Sequence, residues 1–99
     1  MVQVNYIQER DELEIVFKEI DVPEVLKMDN GVVLEFDEET LSTIILPNFW
    51  QMVHRQLMHQ TPPTEASIKF KNFTTELIRL NINGQDVNIK LNLKELENR

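Results

Sequence analysis

The feature that most constrains the fold is a single stretch with helical periodicity, residues 46 to 59, which lies between segments that alternate like strands. Its apolar side chains fall within one arc of about 100°, which suits a stripe that faces a core. The members of this stripe are Phe49, Trp50, Val53 and Leu57. The pattern predicts one central helix over residues 48 to 60, ended by the two prolines that follow.

Two groups of alternating segments flank this helix. In residues 2 to 46, apolar and polar residues alternate between turn signals, of which Asn30-Gly31 is the strongest because Asn-Gly suits positive φ. In residues 66 to 92, Asn83-Gly84 separates two further segments of this kind. The sequence therefore predicts one α+β domain, residues 1 to 99, in which two antiparallel β-meanders, about 2–46 and 66–92, flank the helix. Whether the strands form one sheet or two stays open.

Matching the apolar positions across the turns predicts explicit strand registers, because a slip of one residue turns every apolar side chain to the other face. The predicted pairs before the helix are Val4–Ile15, Tyr6–Leu13, Val32–Ile45 and Phe36–Leu41. The predicted pairs after it are Ile68–Leu80, Phe70–Ile78, Ile78–Ile89 and Leu80–Val87. Within residues 18 to 29, Pro23 argues against a central strand and leaves a loop or an edge strand.

These registers place four cations on the polar face of the second meander, with no acid among them: Lys69, Lys71, Arg79 and Lys90. One interpretation is a solvated outer face on which lysines protect the sheet edge. The other is a docking site for an acidic surface. An RNA-binding sheet adds aromatic stacking platforms, and this face offers none apart from Phe73, so a protein partner is the better expectation.

Met58 projects from the polar side of the predicted helix, one turn after His54. A strand or loop that covers Met58 is one explanation. The other is a partner-binding patch formed by His54 and Met58, with Met52 beside them.

The net charge of −7 is unevenly distributed. Residues 1 to 39 carry −9 and residues 40 to 99 carry +2. This disfavours simple electrostatic binding of nucleic acid and favours a basic protein partner or contact between copies, including a homodimer. There is no cysteine, no signal-peptide pattern and no apolar run of membrane-spanning length, so we expect a cytoplasmic protein without membrane association.

The sequence predicts neither a metal site nor a cofactor. His54 and His59 stand five residues apart, which on a helix turns them away from each other, whereas helical zinc motifs use a spacing of four. Both glycines belong to Asn-Gly turns, so no phosphate-binding loop is available.

The segment before the helix carries a recognisable order of residues: Tyr6, then the acidic turn and strand of residues 11 to 15, then residues 31 to 38. Over roughly residues 3 to 46 the chain resembles a widespread family of small prokaryotic β-meander domains of unknown function. The chain lacks the glycine that usually follows the acidic turn, and residues 41 to 45 replace the usual Gly-Ile-Glu-Ile-like strand. The resemblance implies a β-meander with a packed helix, and no activity.

Three functions follow as hypotheses. The first is a non-catalytic protein-interaction or regulatory module, and therefore not an enzyme. The second is a small enzyme that uses His54 or His59 with carboxylates from the predicted turns, among them Asp11, Asp37 and Glu38. The third is an acidic inhibitor that mimics nucleic acid, which requires the acids of residues 9 to 39 to form one regular stripe.

Overall fold

The computed structural model describes residues 2–58, 61–74 and 76–91. It contains two antiparallel sheets and one short helix, which confirms the predicted α+β class and settles that the strands form two sheets. The chain groups into two compact units, Met1–Phe49 and Trp50–Arg99. The expectation of a single domain stays a prediction.

The first unit is a five-stranded sheet with the strand order β1-β2-β5-β4-β3. Its strands are β1 (Gln3–Ile7), β2 (Glu12–Val16), β3 (Glu24–Lys27), β4 (Val33–Asp37) and β5 (Thr40–Leu46). Hairpins join β3, β4 and β5, whereas residues 17 to 23 carry the chain from β2 past two strands to the far edge. This arrangement is a Greek key rather than the predicted meander. We call residues 17 to 23 the crossover segment.

Most of the predicted register in this sheet is confirmed. Tyr6 lies opposite Leu13, and Val4 opposite Ile15. Phe36 lies opposite Leu41, but it is Val33 and not Val32 that faces Ile45. The difference comes from a bulge at Glu35/Phe36, which inserts one residue into the β4–β5 pairing.

The bulge is supported by a buried hydroxyl. Ser42, fully buried on β5, donates to the Glu35 carbonyl at 2.9 Å. A buried carbonyl without a partner is costly, so this hydrogen bond lets the sheet keep the irregularity. The strand β3 lies at an edge of this sheet and begins directly after Pro23, so of the two alternatives for residues 18 to 29, a loop or an edge strand, the edge strand is found.

The helix is shorter than the predicted 48 to 60. α1 (Phe49–Val53) is followed by a 3₁₀ turn, His54–Gln56, and Leu57 is already extended. The His54 ring nitrogen Nδ1 lies 3.2 Å from the Trp50 carbonyl and 3.1 Å from that of Gln51, so it competes for the oxygens that the next helical turn needs. The predicted end at residue 60 lies outside the described residues.

The first helical amide has its hydrogen-bond acceptor outside the helix. Asn48 has a left-handed φ of 53°, and the amide of Phe49 donates to the Asp11 carbonyl at 2.9 Å. The turn between β1 and β2 therefore supplies the acceptor that the helix start requires.

The second unit contains β6 (Ile68–Thr74), β7 (Leu77–Ile82) and β8 (Gln85–Lys90), in the order β6-β7-β8. This is the predicted meander, although its predicted end at residue 92 lies outside the described residues. The pairs Ile78–Ile89 and Leu80–Val87 across the Asn83-Gly84 turn are confirmed. Both residues of this turn have positive φ, as Asn-Gly favours.

The predicted β6 register is wrong by two residues, and a bulge at Lys71 shifts the pairing by one more residue beyond it. Phe70 lies opposite Leu80, Phe73 opposite Ile78, and Ile68 opposite Ile82. The extra residue resets the alternation, so Phe70 and Phe73 both reach the face that carries the buried side chains of β7.

In the described ranges, no helix has the length and apolar character needed to cross a bilayer.

Candidate functional site

The polar face of the second sheet carries mixed charge, contrary to the prediction of four cations without an acid. Lys69 shares a row with Asn81 and Asp86, and Arg79 shares the next row with Asn72 and Asn88. From the bulge, Lys71 Nζ reaches both carboxylate oxygens of Asp86 at 3.2 Å. The bulge therefore pairs one of the four predicted cations with an acid that the sequence-based register left out.

The Asp86 carboxylate interacts with two neighbouring side chains on this face. It accepts hydrogen bonds from the Asn81 amide at 2.9 Å and from Lys71, which together hold the pKa of Asp86 below its usual range. Both partners of the ion pair are well exposed, at 47% for Lys71 and 61% for Asp86, so it contributes little to stability. Lys69, Arg79 and Lys90 are exposed and keep their place as candidate partner-binding residues.

The predicted patch of His54 and Met58 loses the spacing on which it rested. The chain leaves the helical conformation at Leu57, so the two residues are not one helical turn apart. His54 is half-buried and its ring lies 5.8 Å from that of Trp50. Met58 is 85% exposed, so the explanation that a strand or loop covers it is wrong.

The first unit contains a pocket that the sequence did not predict. It lies on the polar face of the five-stranded sheet, opposite the face that buries Leu13, Ile15 and Ile44. Its volume is about 510 Å³. The sheet supplies Gln3, Asn5, Glu14, Val16, Glu35 and Thr43, and the crossover segment supplies residues 18 to 21. We call this cavity the acidic pocket.

Four carboxylates line the acidic pocket: Glu14, Glu19, Asp21 and Glu35. Its one basic residue is Lys18, whose amine pairs with Asp37. Glu14 accepts a hydrogen bond from the Asn5 amide at 3.1 Å, but none of the four carboxylates has an ion pair with another described residue. The pocket therefore presents negative charge that the described chain does not neutralise.

A hydroxyl lies among the inner residues of this pocket. Thr43 is only 6% exposed although it stands on the polar face, in the row between Val16 and Glu35. Within the described residues, no hydrogen bond joins its hydroxyl to another group. Since no buried side-chain oxygen or nitrogen of the described residues lacks a hydrogen-bond partner, the Thr43 oxygen itself reaches solvent, where it is available to a ligand that enters the pocket.

The chemistry of the lining favours an organic cation over a metal ion. Among the described residues, no three His, Cys, Asp or Glu side chains are grouped closely enough to hold a metal. Separated carboxylates and a hydroxyl suit an ammonium or guanidinium group, whose donors point in several directions.

The carboxylates of the first unit do not form the single stripe that a nucleic-acid mimic needs. Because β5 runs antiparallel to β2, the turn of residues 8 to 11 and the turn at residues 38 and 39 lie at opposite ends of the sheet. Further acids line the pocket on the polar face.

The geometry gives no support to a catalytic histidine either. Neither the acidic pocket nor the small cavity beside Leu57 and Ile82 has a histidine among its described lining residues. Asp11, one of the turn carboxylates considered for acid–base work, accepts the Tyr6 hydroxyl at 2.6 Å. His59 lies outside the described residues.

Part of the pocket was visible in the sequence. Glu14 and Glu35 occupy polar positions of correctly predicted strands, so their placement on the solvent side follows from alternation alone. Their proximity does not, because it depends on β5 lying between β2 and β4, and on the path of the crossover segment.

No family model, curated protein or solved structure matches this chain. The resemblance over residues 3 to 46 therefore stays a prediction, and the function rests on the geometry of the chain itself.

Proposed function

We propose that the chain is a non-catalytic cytoplasmic interaction module that binds a basic segment of a protein partner in the acidic pocket. The observation that carries the proposal is that four carboxylates without an ion pair among the described residues line one pocket together with Thr43. An arginine or lysine side chain of the partner enters the pocket. Its charge meets Glu14 and Glu35, and one of its N–H groups donates to Thr43.

The size of the pocket supports this occupant. A volume of about 510 Å³ lies within the usual range of ligand cavities, and it accommodates one long cationic side chain together with neighbouring main chain. The polar lining suits the charged end of such a side chain better than it suits an apolar ligand.

Exposed apolar side chains near the pocket favour a protein over a small free amine. Val22 is 90% exposed and directly follows the lining residue Asp21. Val25 is 54% exposed and lies opposite Glu35 in the β3–β4 pairing. A partner that places a cation in the pocket can cover these valines with its own apolar side chains, whereas a small amine cannot.

Fluorescence anisotropy tests the proposal with a labelled peptide of alternating arginine and serine. The comparison peptide carries citrulline, a neutral analogue of similar shape, at each arginine position. We expect saturable binding of the arginine peptide, and binding on the order of tenfold weaker, equivalent to ~1.4 kcal/mol, in the double variant Glu14→Gln/Glu35→Gln.

The matched control is Glu9→Gln/Glu39→Gln, which changes the net charge equally at two exposed positions away from the pocket. It is expected to change the affinity by no more than about twofold, since surface charges act weakly and at long range. Equal weakening by both double variants, or equal binding of the citrulline peptide, contradicts a specific cation site.

A further inference from the structure

The outer edge of β8 in the second unit is occupied by side chains rather than by another strand. The side-chain amide of Gln56 donates to the Asn88 carbonyl at 2.7 Å, and its oxygen accepts from the Asn88 amide at 2.9 Å. A primary amide presents its oxygen and one N–H on the same side, as the C=O and N–H of one residue in an antiparallel neighbour do, so Gln56 takes the place of a neighbouring strand at this residue.

A second glutamine holds Gln56 against the edge. The Gln85 side chain donates to the Gln56 carbonyl, and its oxygen accepts from the Met58 amide at 2.9 Å. Gln56 and Met58 are exposed. We call residues 56 to 58 the edge cover. Leu57, between Gln56 and Met58, is buried, so this side chain anchors the segment while the hydrogen bonds of its two neighbours to β8 lie at the exposed surface.

No strand among the described residues covers the rest of the β8 edge. The amide and carbonyl of Asn88 point away from β7, so alternation along an antiparallel strand sends those of Asp86 and Lys90 the same way. Within the described residues, the main-chain groups of Asp86 and Lys90 have no partner at this edge. An open edge of this kind is a template for another strand.

The sequence of β8 is complementary to itself in one antiparallel register. If Asn88 lies opposite Asn88 of a second copy, then Asp86 lies opposite Lys90 of that copy, and Lys90 opposite its Asp86. On the other face Val87 lies opposite Ile89, so the apolar rows continue across the junction. Both charge pairs and both apolar pairs are satisfied at once, which is the requirement of a two-fold symmetric interface.

We propose that the outer edge of β8 is a strand-addition site for a second copy of this chain, and that the edge cover keeps it closed in the monomer. Release of Gln56 frees the Asn88 amide and carbonyl. The two β8 strands then pair about Asn88, and two three-stranded sheets become one continuous sheet. This inference is independent of the acidic pocket, which belongs to the other unit.

The test measures dimer dissociation constants of the full chain by sedimentation or light scattering over a dilution series. Gln56→Ala removes the occupant of the edge and is expected to lower the dissociation constant at least ~10-fold relative to the wild type. Adding Asp86→Lys places like charges opposite each other and is expected to reverse that gain. Adding Lys90→Asp as well exchanges the charges, restores complementarity, and is expected to restore the dimer.

An unchanged dissociation constant in Gln56→Ala overturns the proposal. It is also overturned if adding Asp86→Lys does not weaken the dimer, or if adding Lys90→Asp to that variant does not restore it. A second variant keeps Gln56 and traps the open form of the edge by cross-linking. Because the chain has no cysteine, Asn88→Cys forms a disulfide-linked dimer under mild oxidation only where residue 88 meets its own copy. Asn72→Cys, on the same sheet but away from this edge, is the control, and equal cross-linking of the two overturns the proposed register.

Discussion

Asp11 joins three parts of the first unit through one residue. Its carboxylate accepts the Tyr6 hydroxyl at 2.6 Å, and its carbonyl accepts the first helical amide, that of Phe49. The rings of Tyr6 and Phe49 pack edge to face with their centroids 5.6 Å apart, so the two residues that bond to Asp11 also contact each other. Asp11 itself has a left-handed φ of 50°, a conformation that Asp tolerates better than most residues.

This arrangement predicts an abnormal titration of Tyr6. Burial raises the pKa of Tyr6, and the hydrogen bond to Asp11 and the negative charge of that carboxylate raise it further. The unfolded chain has a tyrosine pKa of about 10. A raised native pKa means that the stabilisation is complete below pH ~10 and is lost as the pH rises from there through the native value. Since Tyr6 is the only tyrosine, tyrosinate absorbance reports it directly.

We therefore expect the native absorbance midpoint to lie clearly above 10. The unfolding free energy of the wild type should fall more steeply above pH ~10 than that of Tyr6→Phe, which keeps the ring and removes the ionisable group. Lysines titrate in the same range, but they contribute equally to both proteins. A native midpoint near 10, or parallel pH profiles for the two proteins, contradicts this prediction.

Among the elements, the hairpins with short turns were predictable and the bulges were not. The Asn83-Gly84 turn and the alternation of β7 and β8 are local signals that agree, so their register followed from the sequence. The bulge at Lys71 arises because Phe70 and Phe73, three residues apart, both pack on the apolar face, and only the finished sheet shows that demand.

Features that depend on contacts between residues far apart in sequence were equally unpredictable. The helix stops early because the His54 ring lies at the carbonyls of the helix end and because Gln56 and Met58 bond to Asn88 and Gln85 of β8. The pairing of β2 with β5, which creates the acidic pocket, is decided by side chains far apart in sequence. Composition therefore predicted an acidic first half, but not that part of it forms a pocket.

The bulge itself supports a deletion experiment. Removing Lys71 leaves Phe70 and Asn72 in the uninterrupted register of a regular strand and sacrifices only an exposed ion pair. We expect a change of less than about 1 kcal/mol in the free energy of unfolding, measured by denaturant titration.

Deleting Lys69 provides the comparison, because it removes a paired residue and turns the buried Ile68 toward the polar face. We expect that deletion to destabilise the protein by about 2 kcal/mol or more. If the two deletions lower the free energy of unfolding by similar amounts, Lys71 is part of a regular ladder and not of a bulge.

Across the whole chain, charge is segregated along the sequence, with −9 in residues 1 to 39 and +2 in the remainder. A field of this kind accelerates the approach of a cationic partner more than it prolongs the contact, since long-range attraction is screened by salt. For the arginine peptide we expect the association rate constant to fall roughly tenfold between low and high salt, and the dissociation rate constant to change much less.

Thr43→Val separates the local contact from this field. The substitution keeps the shape and charge of the pocket and removes the hydroxyl, so we expect faster dissociation and an unchanged salt dependence of association. Stopped-flow measurements at several salt concentrations give both constants. An unchanged dissociation rate in Thr43→Val would mean that the peptide binds only to the rim of the pocket.

The strand order gives the acidic pocket a second consequence. Asn5 and Glu14 belong to the β1–β2 hairpin, whereas Glu35 and Thr43 belong to the hairpin-linked strands β3 to β5. Among the described strands, the β2–β5 ladder is the strand pairing that joins these two blocks. A ligand that contacts residues of both blocks links them for as long as it is bound. Its departure removes that link, so we expect the unfolding rate of the first unit to report whether the pocket is occupied.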